Sequence, residues 1–313
     1  MAVIITGGSG FIGTALTDRM LEAGHRVYSL SRHPPEAREG IVPLKGDITK
    51  PNLGLEDVPG DITRCYHLAG IHSLRIKDKG SDGSIFEMNV EGTRNVLAFC
   101  SRYGIPHLLF ASTAYTWGMN PYGNSKILNE NDIEGWAAEQ GKKVTIFKPS
   151  IVMGTPQKPY PGHFLKFVNG VIAIHKRAEL VRRKIEGVLR LPVIEPVFRI
   201  QGNPDGLLNL VAIDAVADSM ADISREGTFW LTNPAPPTLE QLSGWIGEFI
   251  MLDMKFIQDE FKSTPIEAAF DKLVTPFKPY LNGHQFPSSL DDHPPIDKEF
   301  IQETIRQTIL RAS

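Results

Sequence analysis

Residues 1–13 read Met-Ala-Val-Ile-Ile-Thr-Gly-Gly-Ser-Gly-Phe-Ile-Gly. Val3-Ile4-Ile5 is a short run of β-branched apolar residues, the pattern of a buried strand. Residues 6–10 form a glycine turn, and from Phe11 onward Ile12, Ala15, Leu16, Met20 and Ala23 recur with helical period until Gly24. A strand, a glycine turn and a helix together make an anion site. Glycine lets the backbone approach a ligand, and the helix N-terminus presents unpaired N–H groups at the positive end of its dipole. Gly8, Gly10 and Gly13 give the spacing G-x-G-x-x-G, whereas Gly7, Gly10 and Gly13 give the wider G-x-x-G-x-x-G. In the wider register, Gly7, Gly10, Gly13 and the first helical residues, Phe11 and Ile12, are the expected pyrophosphate seat.

The second strand, residues 26–30, ends in Ser31-Arg32. An acid about 20 residues beyond the glycines usually holds the ribose 2′-hydroxyl of NAD. Here the first acid after the strand is Glu36. A guanidinium clamps a 2′-phosphate that a carboxylate would repel, so Arg32 predicts NADP(H) in preference to NAD(H). Residues 41–44 read as a third strand, followed by Asp47 and Ile48, where Asp47 taken alone suits a turn or a helix cap. Cys65-Tyr66-His67-Leu68-Ala69-Gly70 is a strand ending in small residues, with Ala69 placed to let a cofactor lie against the strand end. His67 and His72 are not at the spacing of a helical metal pair; His67 reads as structural, and no metal is expected.

Asn89-Val90-Glu91-Gly92-Thr93 opens a helix, and residues 107–111 form a strand running into Ser112-Thr113. Tyr122 and Lys126 follow, four apart and therefore on one helix face. A phenol with its ordinary pKa near 10 is a slow proton donor at neutral pH, and a neighbouring ammonium stabilises its phenolate.

In this order the glycine turn after Thr6, Asp47, Asn89 with Gly92-Thr93, Thr113 and Tyr122-Gly123-Asn124-Ser125-Lys126 resemble the extended short-chain dehydrogenase/reductase superfamily, epimerase/dehydratase-like in type. Gly46-Asp47-Ile48-Thr49-Lys50-Pro51-Asn52-Leu53-Gly54-Leu55, with residues 207–217 and 228–241, is similar to the clade of thioester reductases and fatty acyl reductases. The resemblance implies a Rossmann-like α/β fold, a doubly wound parallel sheet with a smaller, discontinuous substrate domain toward the C-terminus. It implies Tyr122 as acid, Lys126 as its tuner and ribose ligand, and Thr113 polarising the reacting oxygen, with Ser112 the second choice. It places Asp47 and the Ile48 backbone at the adenine, and Ser150 and Ile151 of Lys148-Pro149-Ser150-Ile151 at the nicotinamide carboxamide. Lys148 stands where the family has Arg. Asn89 comes over as a support of the active site. The nine residues from Thr113 to Tyr122 are fewer than the family usually has, which predicts an open entrance.

The expected division is 1–155 with 207–232 for the nucleotide domain, and 156–206 with 233–313 for the substrate domain. A composition with 42% hydrophobic and 22% charged residues suits a globular chain, and a net charge of −3 argues against nucleic acid as a partner. No apolar run approaches the roughly 20 residues of a membrane span. The strand begins too early to leave room for a signal peptide, and Cys65 and Cys100 read as reduced core thiols, so a cytoplasmic protein is expected. In residues 176–190 six cations, Lys176, Arg177, Arg182, Arg183, Lys184 and Arg190, stand against Glu179 and Glu186. They read either as a solvated helix face or as a dock for a phosphate-bearing thioester or acyl carrier.

The expected activity is NADPH-dependent reduction of a small-molecule carbonyl, whether acyl thioester, aldehyde or ketone. The alternatives are a sugar-nucleotide epimerase and a cofactor-sensing protein without catalysis. Ala114 and Tyr115 supply no carboxylate for dehydration, and sensors often lack the Tyr/Lys pair present here. The oligomeric state is left open, with a homodimer allowed.

Overall fold

The computed structural model describes residues 1–58, 61–72, 83–117, 120–160, 162–189, 197–275, 278, 280, 283–290 and 293–312. Arg190 of the basic stretch lies outside the described residues, as do Gly118, Phe277, Pro279 and Asp292.

The chain forms two compact units, the first being Met1–Ser150, Ile213–Thr232 and Pro287–Asp292. Its sheet holds seven strands: β1 (Ala2–Thr6), β2 (Arg26–Ser31), β3 (Ile41–Lys45), β4 (Ile62–His67), β5 (His107–Ala111), β6 (Lys143–Pro149) and β10 (Gly227–Leu231). Their order is β10-β6-β5-β4-β1-β2-β3, and every pairing is parallel. The sheet is Rossmann-like. Parallel strands need crossovers, here α1 (Phe11–Glu22), α2 (Gly92–Arg102), α3 (Pro121–Gln140) and α5 (Ile213–Asp222). Every residue of β1 and of β5 is buried, as their continuous apolar runs require. The chain direction across the sheet reverses between β1 and β4, and ligands of such sheets bind at the strands' carboxyl ends there. Cys65 and Cys100 are buried free thiols in the core, with Tyr28, Phe99 and Phe110.

The second unit is Ile151–Ala212, Asn233–Phe286 and His293–Ser313. It contains the parallel pairs β7 (Ile151–Met153) with β9 (Leu210–Ala212) and β8 (Phe198–Gln201) with β11 (Met254–Ile257). Its helices are α4 (His163–Leu189), α6 (Leu239–Ile250), α7 (Pro265–Val274) and α8 (Lys298–Ala312). Thr238 and Gln241 close the capping box that their spacing predicts at the start of α6.

The units change over at Ser150 and Ile213, not at 155 and 207, because β7 and β9 form a ladder of their own in the second unit. The tail also returns to the first unit. Ser289 exchanges hydrogen bonds with the Trp230 backbone, and Thr232 Oγ1 donates to the Pro287 carbonyl at 2.6 Å. That segment covers the otherwise open edge of β10.

Candidate functional site

The glycine turn lies directly beyond β1. Gly7 has φ +76°, and a Cβ there would sit 2.8 Å from the Ala69 backbone nitrogen. A Cβ on Gly13 would meet the Gly7 carbonyl at 2.2 Å. These two positions demand glycine, one for its backbone and both for close approach. Gly10 is the N-cap of α1 and has no side chain with which to cap the first turn, which starts at Phe11 and Ile12. The wall of the turn is Ala69, two residues past β4. Polar groups of the same sheet are buried without hydrogen-bond partners: the Ser29 and Ser31 hydroxyls of β2, with Ser29 against Gly8, and the Ser150 hydroxyl beyond β6. A helix that starts at a glycine, close backbone packing on Ala69 and orphaned hydroxyls suit a dinucleotide that brings its own polar atoms.

Arg32 is exposed just past β2, and Asp47 follows β3. Asp47 Oδ1 accepts from the Thr49 amide at 3.0 Å and the Thr49 hydroxyl at 2.9 Å. The Thr49 amide does most to hold its carboxyl below the usual range, and the charge of Arg32 adds to this. The Ile48 carbonyl accepts from Asn95 at 2.8 Å, anchoring this loop to α2. In the loop Asn52 and Leu53 have φ of 52° and 56°, a strained backbone for Leu that is offset by its complete burial.

Thr113, Tyr122 and Lys126 come from the end of β5 and the first turns of α3. Asn120 caps α3 by accepting the Gly123 amide at 2.8 Å, and Pro121 fills the first helical position. Lys126 is buried, and its Nζ donates to the Ala111 carbonyl at 2.7 Å. The same ammonium lies 4.5 Å from the Phe110 ring centroid and 5.7 Å from that of Tyr122. Burial pushes its pKa down to about 8, with Glu130 pulling the other way. Tyr122 meets His72 edge-to-face at 4.6 Å. Thr113 is buried, and its hydroxyl oxygen accepts the Tyr115 amide at 3.2 Å. Ser112 instead donates to Glu130, which forms an ion pair with Lys148 at 2.8 Å. Ser112 is therefore committed to a carboxylate, whereas Thr113 is not. Lys148 is the counter-ion of Glu130.

Glu130 was not singled out in the sequence, whereas Asn89 was. Glu130 was visible as the third member of the i, i+4, i+8 face carrying Tyr122 and Lys126. Asn89 lies in a π-helical turn, Phe86–Glu91, ahead of α2. Its side chain accepts the Ile71 amide at 2.8 Å and donates to the Ile71 carbonyl at 3.0 Å and to Ser125 Oγ at 3.1 Å. Ser125 Oγ donates in turn to the Tyr122 carbonyl at 2.7 Å. A Cβ on Gly123 would meet the Tyr115 carbonyl at 3.0 Å, so the start of α3 lies close against Tyr115. Only Ile151 among the expected cofactor residues lies outside the first unit.

The basic stretch lies on the exposed half of α4. Arg182 pairs with Glu179 at 2.7 Å and with Glu186 at 3.7 Å, and Arg183 with Glu179 at 3.6 Å. Among the described residues, no helix is long and apolar enough to cross a membrane.

Residues 3–188 match the NAD dependent epimerase/dehydratase family. A 2-alkyl-3-oxoalkanoate reductase of Stenotrophomonas maltophilia is 36% identical over 115 residues, 36% of this chain and 33% of that protein. An N-acetyl-alpha-D-glucosaminyl-diphospho-ditrans,octacis-undecaprenol 4-epimerase of Escherichia coli O157:H7 is 26% identical over 185 residues, 54% of each chain. The chain thus spans about a third to about half the length of these curated relatives. The fold matches the terminal R domain of the myxalamid PKS-NRPS pathway with TM-score 0.71 and 19% identity, covering 99% of this chain and 91% of that one. It also matches UDP-glucose 4-epimerase of Thermotoga maritima with TM-score 0.68 and 18% identity over all of both chains.

Proposed function

The chain belongs to the NAD dependent epimerase/dehydratase family, and from that premise we propose that it is a nicotinamide-dependent oxidoreductase reducing the carbonyl of an acyl thioester, aldehyde or ketone. The observation that carries this reading is the buried Lys126 ammonium, fixed on the Ala111 carbonyl one helical turn from Tyr122.

In this reading Gly7, Gly10, Gly13, Phe11 and Ile12 seat a pyrophosphate and Arg32 takes a 2′-phosphate, so NADPH is the preferred cofactor. Asp47 and Ile48 face the adenine, Ala69 walls the strand end, and Ser150 and Ile151 hold the carboxamide. When bound, NADPH supplies the hydride that adds to the carbonyl carbon. Thr113 donates its hydroxyl hydrogen to the carbonyl oxygen and polarises it. Tyr122 gives its phenolic proton to that oxygen, leaving a phenolate that the Lys126 ammonium stabilises. A ketone or aldehyde becomes an alcohol. A thioester accepts the hydride, releases its thiol and becomes an aldehyde. Both readings of the relatives, a 3-oxoalkanoate reductase by name and an assembly-line R domain by fold, lie within this carbonyl class.

The test is cofactor consumption against a panel of acyl-CoA thioesters, 2-alkyl-3-oxoalkanoates, aldehydes and ketones. The expected result is NADPH-dependent turnover that falls by about 100-fold or more in Tyr122→Phe while NADPH binding survives. Near-parent turnover in Tyr122→Phe would mean that another acid acts. The second reading, a sugar-nucleotide epimerase, is favoured by the names of the epimerase relatives. It predicts tightly retained NAD on purification and no net cofactor consumption.

A further inference from the structure

His67, the last residue of β4, is buried with both ring nitrogens in contact with threonine hydroxyls. Nδ1 lies 2.8 Å from Thr6 Oγ1, and Nε2 lies 2.9 Å from Thr93 Oγ1. Counting protons assigns every donor. Thr93 Oγ1 gives its single hydrogen to the Asn89 carbonyl at 2.6 Å, so toward the ring it acts as acceptor and Nε2 carries the N–H. Burial and the nearby Lys126 charge hold the imidazole neutral, its pKa pushed down to about 3. A neutral ring has one N–H, so Nδ1 is the acceptor and the Thr6 hydroxyl donates to it. Thr6 Oγ1 itself faces the Ala69 amide at 3.4 Å.

One face of the ring's contacts therefore ends at the residue preceding Gly7, and the other at the residue that holds Ile71 and, through Ser125, the backbone of Tyr122. We propose that His67 is a positioning residue that ties the glycine turn to the Tyr122 end of α3, its Nδ1 setting Thr6 and its Nε2–H setting Asn89 through Thr93. The inference rests on the cofactor and proton-donor assignments proposed above. It assigns His67 two separable tasks, whereas a merely space-filling core histidine has one.

The two tasks are separated by half-replacements. The side-chain oxygen of asparagine reproduces an Nδ1-side acceptor, and the side-chain N–H of glutamine reproduces an Nε2-side donor. His67→Asn and His67→Gln are compared with Thr6→Val and Thr93→Val, which delete one hydroxyl each and alter the fold least. Two readouts need no substrate: the Kd of whichever of NADPH or NADH binds the parent more tightly, and the exchange rate of the Ile71 amide, which Asn89 protects. Turnover on any substrate of the parent is a third.

Thr6→Val and His67→Gln are expected to raise the cofactor Kd by about tenfold, with the smaller change in Ile71 exchange. Thr93→Val and His67→Asn are expected to speed Ile71 exchange and lower turnover by about tenfold, with the smaller change in Kd. If the two valine variants move both readouts together, or neither, His67 is packing alone and the proposal is overturned. A parent with no turnover on the panel, but with the Kd and exchange effects split as described, would overturn the reductase reading and leave this one standing.

Discussion

Lys126 and the basic stretch of α4 are both cationic features that stand out in the sequence, and the structure treats them in opposite ways. Lys126 is a single ammonium, buried beneath Phe110 and held by a backbone carbonyl, with a pKa pushed down to about 8. On α4, Arg182 and Arg183 lie within a helical turn or so of Glu179 and Glu186 and pair with them at the surface. A charge that water and an adjacent carboxylate can satisfy costs little and does little. A charge taken out of water is costly to keep and is retained against its stability cost, which is why perturbed groups mark sites of chemistry. The sequence left the α4 charges open between a solvated face and a dock and put the chemistry on Tyr122 and Lys126; burial singles out the same lysine of α3.

The largest effect should come from Lys126→Met, which tests the costly member of the pair. Turnover should fall by about 100-fold or more. The fold should become more stable at pH 7, by about 1–2 kcal/mol, since a pKa of about 8 against an ordinary 10.5 reflects about 3 kcal/mol of buried charge, partly offset by the lost Ala111 hydrogen bond. The unfolded chain binds more protons than the folded one between pH 8 and 10.5, so parent stability gains with rising pH across that window. Denaturant melts at pH 7 and pH 10 should show the variant's advantage shrinking. A less stable variant at pH 7 would break the comparison.

Arg32→Ala should have an intermediate effect. The guanidinium is exposed, with the buried, unpartnered Ser31 hydroxyl next to it in the chain. NADPH should bind the parent more tightly than NADH, and the substitution should erase most of that gap, about tenfold in the ratio of dissociation constants. Equal dissociation constants in the parent would remove Arg32 from the site.

The smallest effect is expected from Arg182→Gln, Arg183→Gln and Lys184→Gln together. Stability should change by no more than about 0.5 kcal/mol in chemical denaturation. The preference for an acyl-CoA thioester over its truncated analogue should move by less than about twofold. A larger loss that added salt reproduces in the parent would make α4 a phosphate dock and reverse the lesson drawn from it.

Much of the site was legible because its residues are set by local chemistry. Gly7 and Gly13 are required by a positive φ and by close backbone approach, and Tyr122 with Lys126 by one helical turn. His67 was not legible as anything but a core residue, since its partners Thr6 and Thr93 are 61 and 26 positions away. Nor was the Glu130 link to Lys148, in which the partners come from α3 and β6. The tail segment on β10 and the β7–β9 ladder likewise join stretches far apart in the chain, which displaced the domain boundaries.

The sequence by itself determined the first strands and helices of the nucleotide unit, the glycine turn at the head of α1 and the pairing of Tyr122 with Lys126. Period, backbone freedom and capping act over a few residues, so they can be read from a few residues. Tertiary structure alone decided which polar groups lose water: Lys126 rather than the α4 cations, the His67 ring in its Nε2–H form, and Ser112 bound to Glu130 where Thr113 is not. Desolvation depends on everything packed around a group, and that is assembled from across the chain.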